Sequence, residues 1–275
     1  MAKTLVIIFF FIGASLGILG SLSFIITYLI LPEIRTRFRL YILTLSIYNL
    51  IVDISILLPG YKGDTICSIQ TFLVDFAFGF VCDWIFLISL VYYLQICRNV
   101  DIENSSKFYW ISIIIIQIIT TAGALVLTFT GEPETSFSYW CSDVKNSFVI
   151  FEFSIIWFCL IAALVFYSII VHKIRKDQKI NYPKSFQIKM LTLAILYIIT
   201  LLWTTMERIR QVIQKVDTPN EFLVTTQAFF TPLLGFWDFI FFGLGDKFVR
   251  ALLIRKFKKK KSQEIIELNQ ELIKN

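Results

Sequence analysis

The chain has 275 residues, of which 57% are hydrophobic, 16% aromatic and only 17% charged. Soluble domains carry about 25% charged residues, so this composition excludes an ordinary soluble protein and indicates a membrane protein. The formal net charge is +6, with a single histidine. We expect no enzymatic activity, no cofactor and no nucleic-acid partner.

Seven apolar runs divide the chain. A run of about 18 or more apolar residues predicts a transmembrane helix, because only a helix satisfies its own backbone hydrogen bonds inside lipid. The connections between the runs are short and leave no room for a second domain. The sequence therefore predicts an all-α integral membrane protein, with a seven-helix transmembrane domain over residues 1–245. The predicted spans are Leu5–Leu31, Leu40–Pro59, Ile69–Ile96, Phe108–Phe129, Phe148–Val171, Met190–Arg208 and Phe222–Leu244.

The first run begins close to Met1, as a cleaved signal peptide would. Its apolar core is longer than that of a typical signal peptide, so we interpret it as a retained span. Gly13 and Gly17 within it are four residues apart. Small residues at this spacing allow two membrane helices to approach closely, although the spacing is common by chance in apolar segments.

The distribution of basic residues predicts the orientation. Cytoplasmic loops carry an excess of Lys and Arg. Most of the 26 Lys and Arg residues fall on one side of the predicted bundle, above all between spans five and six and after span seven. We therefore expect a plasma-membrane protein with its N-terminus outside and its C-terminus in the cytoplasm.

Two of the five cysteines fall on the predicted outer side. Cys67 opens span three and Cys141 lies in the loop after span four, whereas Cys82, Cys97 and Cys159 fall within spans or at an inner end. Disulfides form on the oxidising side of a membrane. A Cys67–Cys141 disulfide would tie the loop over the mouth of the bundle, and the alternative is two unrelated free thiols.

Two aspartates fall near the middle of apolar spans. Counting 1.5 Å per residue along each helix places Asp53 and Asp238 at similar depths, with Asn49 one turn from Asp53. Ionisable residues inside a membrane mark functional sites by default. Without a basic partner at this depth, either one carboxylate holds a proton or a small cation such as sodium lies between them.

Pro232 and Gly235 loosen the helix next to Asp238, so this cluster is a candidate two-state switch. Polar packing between helices without switching is an equally open interpretation.

Six residues near the predicted outer face are candidates for a ligand pocket. For each of them, a position at the lipid interface or an internal ion pair is the alternative. These candidates are Asp75, Trp140, Glu152, Glu207, Arg208 and Gln227.

The segment after span seven combines apolar and basic residues at helical spacing. Phe248, Leu252, Leu253 and Phe257 alternate with lysines and arginines. The pattern predicts an amphipathic juxtamembrane helix over residues 246–261 that binds anionic inner-leaflet lipids, followed by a cytoplasmic tail over 262–275.

Several motifs together resemble a known receptor family. They are Gly17, Gly20 and Ser21 in span one, the Asp-Ile-Ser of Asp53–Ser55, Cys67 and the region of Trp84 in span three, Tyr-Trp-Cys ending at Cys141, Arg208 with Ile209, and PLLGFWDF beginning at Pro232. With seven spans, these motifs resemble the G-protein-coupled receptors of the cyclic-AMP-receptor-like family. Asp238 stands where that family often has an asparagine. The chain lacks the acidic-arginine-tyrosine triplet and the Asn-Pro-x-x-Tyr motif of rhodopsin-like receptors.

The resemblance implies a receptor that promotes nucleotide exchange on a heterotrimeric G protein in response to an extracellular ligand. Cyclic AMP is not carried over as that ligand. The competing interpretation is a small ion or solute transporter or channel that uses Asp53, Asp83 and Asp238 as ion sites. A scaffold for lipids or partner helices is a third interpretation. Candidate contacts for the G protein or for lipid are Arg98, Lys173, Arg175, Lys176, Lys247 and Arg250.

Overall fold

The architecture comes from a computed structural model. It describes residues 2–58, 65–100, 105–130, 133–136, 140–143, 147–176, 184–214 and 220–256.

Seven helices in the described part of the chain are long and apolar enough to cross a membrane, which confirms the predicted number. Most extend beyond the predicted apolar runs, because polar residues at a helix end still make helical backbone bonds. The first six helices are α1 Ala2–Ile30, α2 Arg37–Ile56, α3 Thr65–Arg98, α4 Ser106–Thr130, α5 Ser147–Lys176 and α6 Lys184–Gln214.

The seventh helix, α7 over residues 221–244, changes its hydrogen-bonding pattern along its length. It consists of an α-helical segment Glu221–Phe230, a 3-10 turn Thr231–Leu233, a second α-helical segment Leu234–Asp238 and a π-helical segment Phe239–Leu244. A shorter helix, α8, covers residues 247–256. The remainder of the predicted juxtamembrane helix and the predicted tail lie outside the described residues.

Two short strands lie between α4 and α5. β1 Pro133–Ser136 pairs antiparallel with β2 Trp140–Asp143, and Thr135 lies opposite Cys141. The sequence did not reveal this hairpin, because four-residue strands show no clear alternation. Cys67 and Cys141 form a disulfide, which confirms that prediction and ties the hairpin to the start of α3.

The two ends of the bundle differ in chemistry. We call the end that carries the Cys67–Cys141 bond the disulfide end. The opposite end carries Arg37, Arg98 and Lys247, and we call it the basic end.

The core contains an aromatic cluster between α2, α3 and α4. Trp84 is fully buried, and its indole N–H donates to the Tyr41 carbonyl over 2.9 Å. The rings of Tyr41 and Tyr109 meet edge to face, and the hydroxyls of Tyr109 and Thr44 lie 2.6 Å apart. These contacts fix α2 and α4 against α3.

Glycines allow α1 and α7 to pack backbone against backbone. A Cβ on Gly17 would lie 1.9 Å from the Pro232 carbonyl oxygen and 2.4 Å from Asp53 Oδ2. A Cβ on Gly235 would lie 1.9 Å from Ser21 Oγ. The small-residue spacing noted in the first span thus marks a close helix contact.

We expect Gly17→Ala to lower the free energy of unfolding of the purified protein by about 1–3 kcal/mol, because the added methyl group overlaps backbone atoms of α7. Thermal unfolding in detergent measures the change.

Gly123→Ala on α4 is the matched control, since nothing lies within 4 Å of a Cβ at that position. Equal melting temperatures for the two variants would contradict the close α1–α7 contact.

Candidate functional site

A buried amide group joins three helices in the middle of the bundle. Asn49 on α2 donates one hydrogen bond to Asp238 Oδ2 on α7 and a second to the Tyr197 hydroxyl on α6, both over 2.9 Å. All three side chains are almost completely buried. The predicted proximity of Asn49 and Asp238 is present in the structure, and Tyr197 is a partner that the sequence analysis missed.

Asp53 lies in the same region but takes no part in the two hydrogen bonds of Asn49. Its Oδ2 is buried without a hydrogen-bond partner and faces Gly17 on α1. Asp238 Oδ1 is likewise buried and unbonded. Within the described part of the chain neither carboxylate takes part in an ion pair, and the two carboxylates interact electrostatically. Two unpaired carboxylates in an apolar interior are costly unless one holds a proton or a cation neutralises them.

Hydroxyl groups on each of the helices α1, α2 and α7 are also buried without hydrogen-bond partners. They are Ser21 Oγ on α1, Ser46 Oγ on α2 and Thr231 Oγ1 on α7. The protein therefore leaves hydrogen-bonding capacity unused on all three helices around the aspartates. The described residues contain no group of three His, Cys, Asp or Glu side chains arranged to hold a metal ion. A sodium ion between Asp53 and Asp238 stays a prediction.

The backbone of α7 is irregular on both sides of Asp238. Pro232 lies in the 3-10 turn before it, and the π-helical segment begins at the next residue, Phe239. Changes of this kind within a helix often occur at functional sites. The irregular part of α7 therefore extends past Pro232 and Gly235 to Leu244, and a switching role for it stays a prediction.

Polar contacts hold the helix ends together at the basic end. Arg39 on α2 forms an ion pair with Asp246 over 2.9 Å, and its guanidinium lies 5.9 Å from the centre of the Phe248 ring. Lys189 on α6 donates to the Gly245 carbonyl over 3.1 Å. These contacts join α2 and α6 to the residues that follow α7.

Helix α8 packs against the turn between α1 and α2. Val249, Leu252 and Leu253 cover Leu31 and Ile34. Of the predicted apolar face, Leu252 and Leu253 contact the protein, Phe248 is exposed, and Phe257 lies outside the described residues. Contact of this helix with lipid stays a prediction.

Cationic side chains cap the carbonyl end of α1. Lys256 donates to the Ile30 carbonyl over 2.6 Å, and Arg35 donates to the carbonyls of Tyr28 and Leu29. The last carbonyls of a helix need such partners and favour positive charge. The lysine thus fixes α8 to α1.

Most of the basic residues predicted to contact a partner face outward at this end. The exposed ones are Arg98, Arg175, Lys176, Lys247 and Arg250. Lys173 is half-buried instead, and it donates to the Cys97 carbonyl over 2.9 Å.

Gln70 organises the disulfide end and was missed by the sequence analysis. Its side-chain nitrogen lies 2.9–3.2 Å from the carbonyl oxygens of Ser55, Ile56 and Leu58 at the end of α2, which share its two N–H donors. Its side-chain oxygen accepts from the Cys141 backbone N–H over 2.9 Å. A glutamine three residues after Cys67 in an apolar helix was the signal available in the sequence.

The structure gives one of the predicted pocket residues a clear structural role. Glu207 is buried, forms an ion pair with Arg210 over 2.8 Å and accepts from the Asn220 backbone N–H over 3.1 Å. It therefore links the end of α6 to the start of α7.

The other pocket candidates are not brought together by the contacts described. Gln227 is buried on α7, and Asp75 is half-buried on α3. The side chains of Trp140, Glu152 and Arg208 lie outside the described residues. The predicted ligand pocket stays a prediction.

Asp83, the third aspartate of the transporter interpretation, lies on α3 and contacts α5. Its Oδ1 accepts from the Cys159 thiol over 3.3 Å. This pair is separate from the cluster around Asn49 and needs no ligand to explain its contact.

The Arg39–Asp246 ion pair predicts a pH dependence. Burial raises the pKa of Asp246, but hydrogen bonds from Arg39 and the Phe248 N–H and the charges of Arg39 and Lys189 outweigh it, so the pKa lies below its usual value. Such a carboxylate adds stability above its unfolded-state pKa of about 3.9, and this stability is lost as the pH falls through the folded-state pKa.

We expect the free energy of unfolding of Arg39→Gln to fall less steeply than that of the wild type as the pH drops below about 4. The difference should be less than about 1 kcal/mol, because the ion pair is partly exposed. Thermal unfolding across an acid pH series measures it. Arg35→Gln, which removes a nearby arginine bonded only to α1, should keep the wild-type limb. An identical acid limb in Arg39→Gln and wild type would rule out this contribution.

No protein-family model matches the chain, and no curated protein matches it. The function is therefore inferred from the chemistry of the described residues.

Proposed function

We propose that the chain is a G-protein-coupled receptor of the plasma membrane, similar to the cyclic-AMP-receptor-like family, with its basic end in the cytoplasm. The observation that carries the proposal is the double linkage of α2, α6 and α7. Asn49 joins the three helices in the middle of the bundle, and Arg39 with Lys189 joins them again at the basic end.

In this proposal the contacts at the basic end hold a closed state. The Arg39–Asp246 pair is partly exposed, and exposed ion pairs contribute only about 0–1 kcal/mol. A ligand needs only a higher affinity for the open state to shift the population. Opening releases α6 and α7 from α2 and creates a cavity for the G-protein α-subunit.

The charge at the basic end suits this partner and the membrane around it. Arg98, Arg175 and Lys176 are exposed at the ends of α3 and α5. Lys247 and Arg250 are exposed on α8. Basic residues at a cytoplasmic surface attract anionic lipid headgroups, so we propose that α8 contacts lipid. The basic residues at the ends of α3 and α5 are the proposed contacts for the G protein.

The disulfide end is assigned to an extracellular ligand of unknown identity. The hairpin is fixed there by the Cys67–Cys141 bond and by Gln70. A loop that is held in one conformation at this end of the bundle lowers the entropic cost of ligand binding.

Capture of nucleotide-free G-protein heterotrimers by the purified full-length protein tests the proposal without a ligand. We expect at least one heterotrimer to bind and a GTP analogue to release it. Arg39→Gln should increase capture, because it removes a contact of the closed state.

Arg35→Gln is the matched control for this experiment. It removes an equal charge four residues earlier in the chain, and the bonds of Arg35 go to α1 and not to the residues after α7. Failure of every heterotrimer to bind both wild type and Arg39→Gln would count against the receptor proposal.

One observation favours a second function. Asp53 Oδ2 and Asp238 Oδ1 are buried without hydrogen-bond partners, as in an ion site of a small transporter or channel. This alternative predicts sodium or proton flux into vesicles that contain the purified protein, with loss of flux in Asp53→Asn and Asp238→Asn.

Asp83→Asn is the control for the flux experiment, because its carboxylate lies outside the cluster and bonds to Cys159. An absence of flux from wild-type vesicles would dismiss the transporter alternative.

A further inference from the structure

We propose that the π-helical segment Phe239–Leu244 is the switching element of the bundle and converts to α-helix when the contacts at the basic end are released. The inference rests on the proposed receptor function for its consequence at a G protein. The helix conversion itself stands on the geometry of the segment.

The segment lies between the two levels at which α7 is fixed. Asp238, the residue before it, is bonded to Asn49. Gly245 and Asp246, the residues after it, are bonded to Lys189 and Arg39. A rearrangement within these six residues therefore changes the position of the helix end relative to the Asn49 cluster.

The π geometry depends on two glycines. The Gly245 N–H donates to the Ile240 carbonyl over 2.6 Å, which is the bond from residue i to i−5 that defines this form. A Cβ on Gly245 would lie 2.6 Å from that same carbonyl oxygen and 3.0 Å from the Phe241 oxygen. The Phe239 ring occupies the space of a Gly243 Cβ, at 2.5 Å.

The alternative form is the ordinary α-helix. A regular α-helix bonds residue i to i−4 and accommodates a Cβ at every position. A π turn holds more residues per turn, so its conversion lengthens the segment and rotates everything after it. Asp246 and α8 would turn away from Arg39, and the basic end would open.

The existing contacts favour the π form. Lys189 holds the Gly245 carbonyl, and Arg39 holds the Asp246 carboxylate. The Phe242 ring meets the Phe38 ring of α2 edge to face, with centroids 5.5 Å apart. Removal of the polar contacts leaves the aromatic contact, the Gly245–Ile240 bond and the packing of α8 on Leu31 and Ile34 to hold the segment.

Distance measurement by electron spin resonance tests the inference in the full-length protein without a G protein. The spin labels are placed on Lys107→Cys at the start of α4 and Lys247→Cys at the start of α8, both exposed positions, with Cys97→Ser to remove a partly exposed thiol. We expect Gly245→Ala to move the distance distribution to a new maximum, because the added methyl group is incompatible with the π turn.

Arg39→Gln tests the same conversion without altering the backbone. It should shift part of the distribution to the maximum produced by Gly245→Ala. Gly123→Ala on α4, where a Cβ meets nothing within 4 Å, should keep the parent distribution.

The two proposals fail in different ways. An unchanged distribution in folded Gly245→Ala and Arg39→Gln overturns the helix conversion, whatever the protein couples to. A shifted distribution in a protein that captures no heterotrimer supports the conversion and rejects the G-protein partner.

Discussion

The structure depends on the side-chain amide of Asn49, which uses both of its N–H groups inside the bundle. One bond goes to Asp238 and the other to Tyr197, so a single residue of α2 sets the distance to α7 and α6. A buried donor without a partner costs about 1–3 kcal/mol. Any movement of α6 or α7 away from α2 must therefore replace these bonds, which makes the cluster sensitive to the charge of Asp238.

Close packing of α1 against α7 gives the cluster its surroundings. Gly17 and Gly235 bring the two backbones together, and Asp53 Oδ2 and Ser21 Oγ lie in the spaces that Cβ atoms would fill. Both side chains are buried away from solvent. The glycines that stabilise the helix contact therefore also limit solvation of the carboxylates. A substitution at either glycine changes both the packing of α1 against α7 and the electrostatic environment of the carboxylates.

Hydropathy was sufficient to predict the seven helices, and the placement of Cys67 and Cys141 at the same end of the predicted bundle indicated their bond. Depth along each helix placed Asn49 and Asp238 together. Tyr197 was not predictable in the same way, since a tyrosine in an apolar run has no distinguishing signal. Arg39 and Asp246 are 207 residues apart, and their pairing depends on how α2 packs against α7. The π-helical segment depends on contacts of Gly243 and Gly245 that no local pattern encodes.

The two ends of the bundle differ in how firmly they are held, and this difference gives a direction to any movement. At the disulfide end a covalent bond and the hydrogen bonds of the buried Gln70 fix α2, α3 and the hairpin. At the basic end a partly exposed ion pair and one lysine–carbonyl bond connect α2 and α6 to the end of α7. Buried hydrogen bonds are strengthened by their low-dielectric surroundings, whereas exposed ion pairs are screened. Separation of the helices therefore costs least at the basic end, and the π-helical segment of α7 lies beside that end.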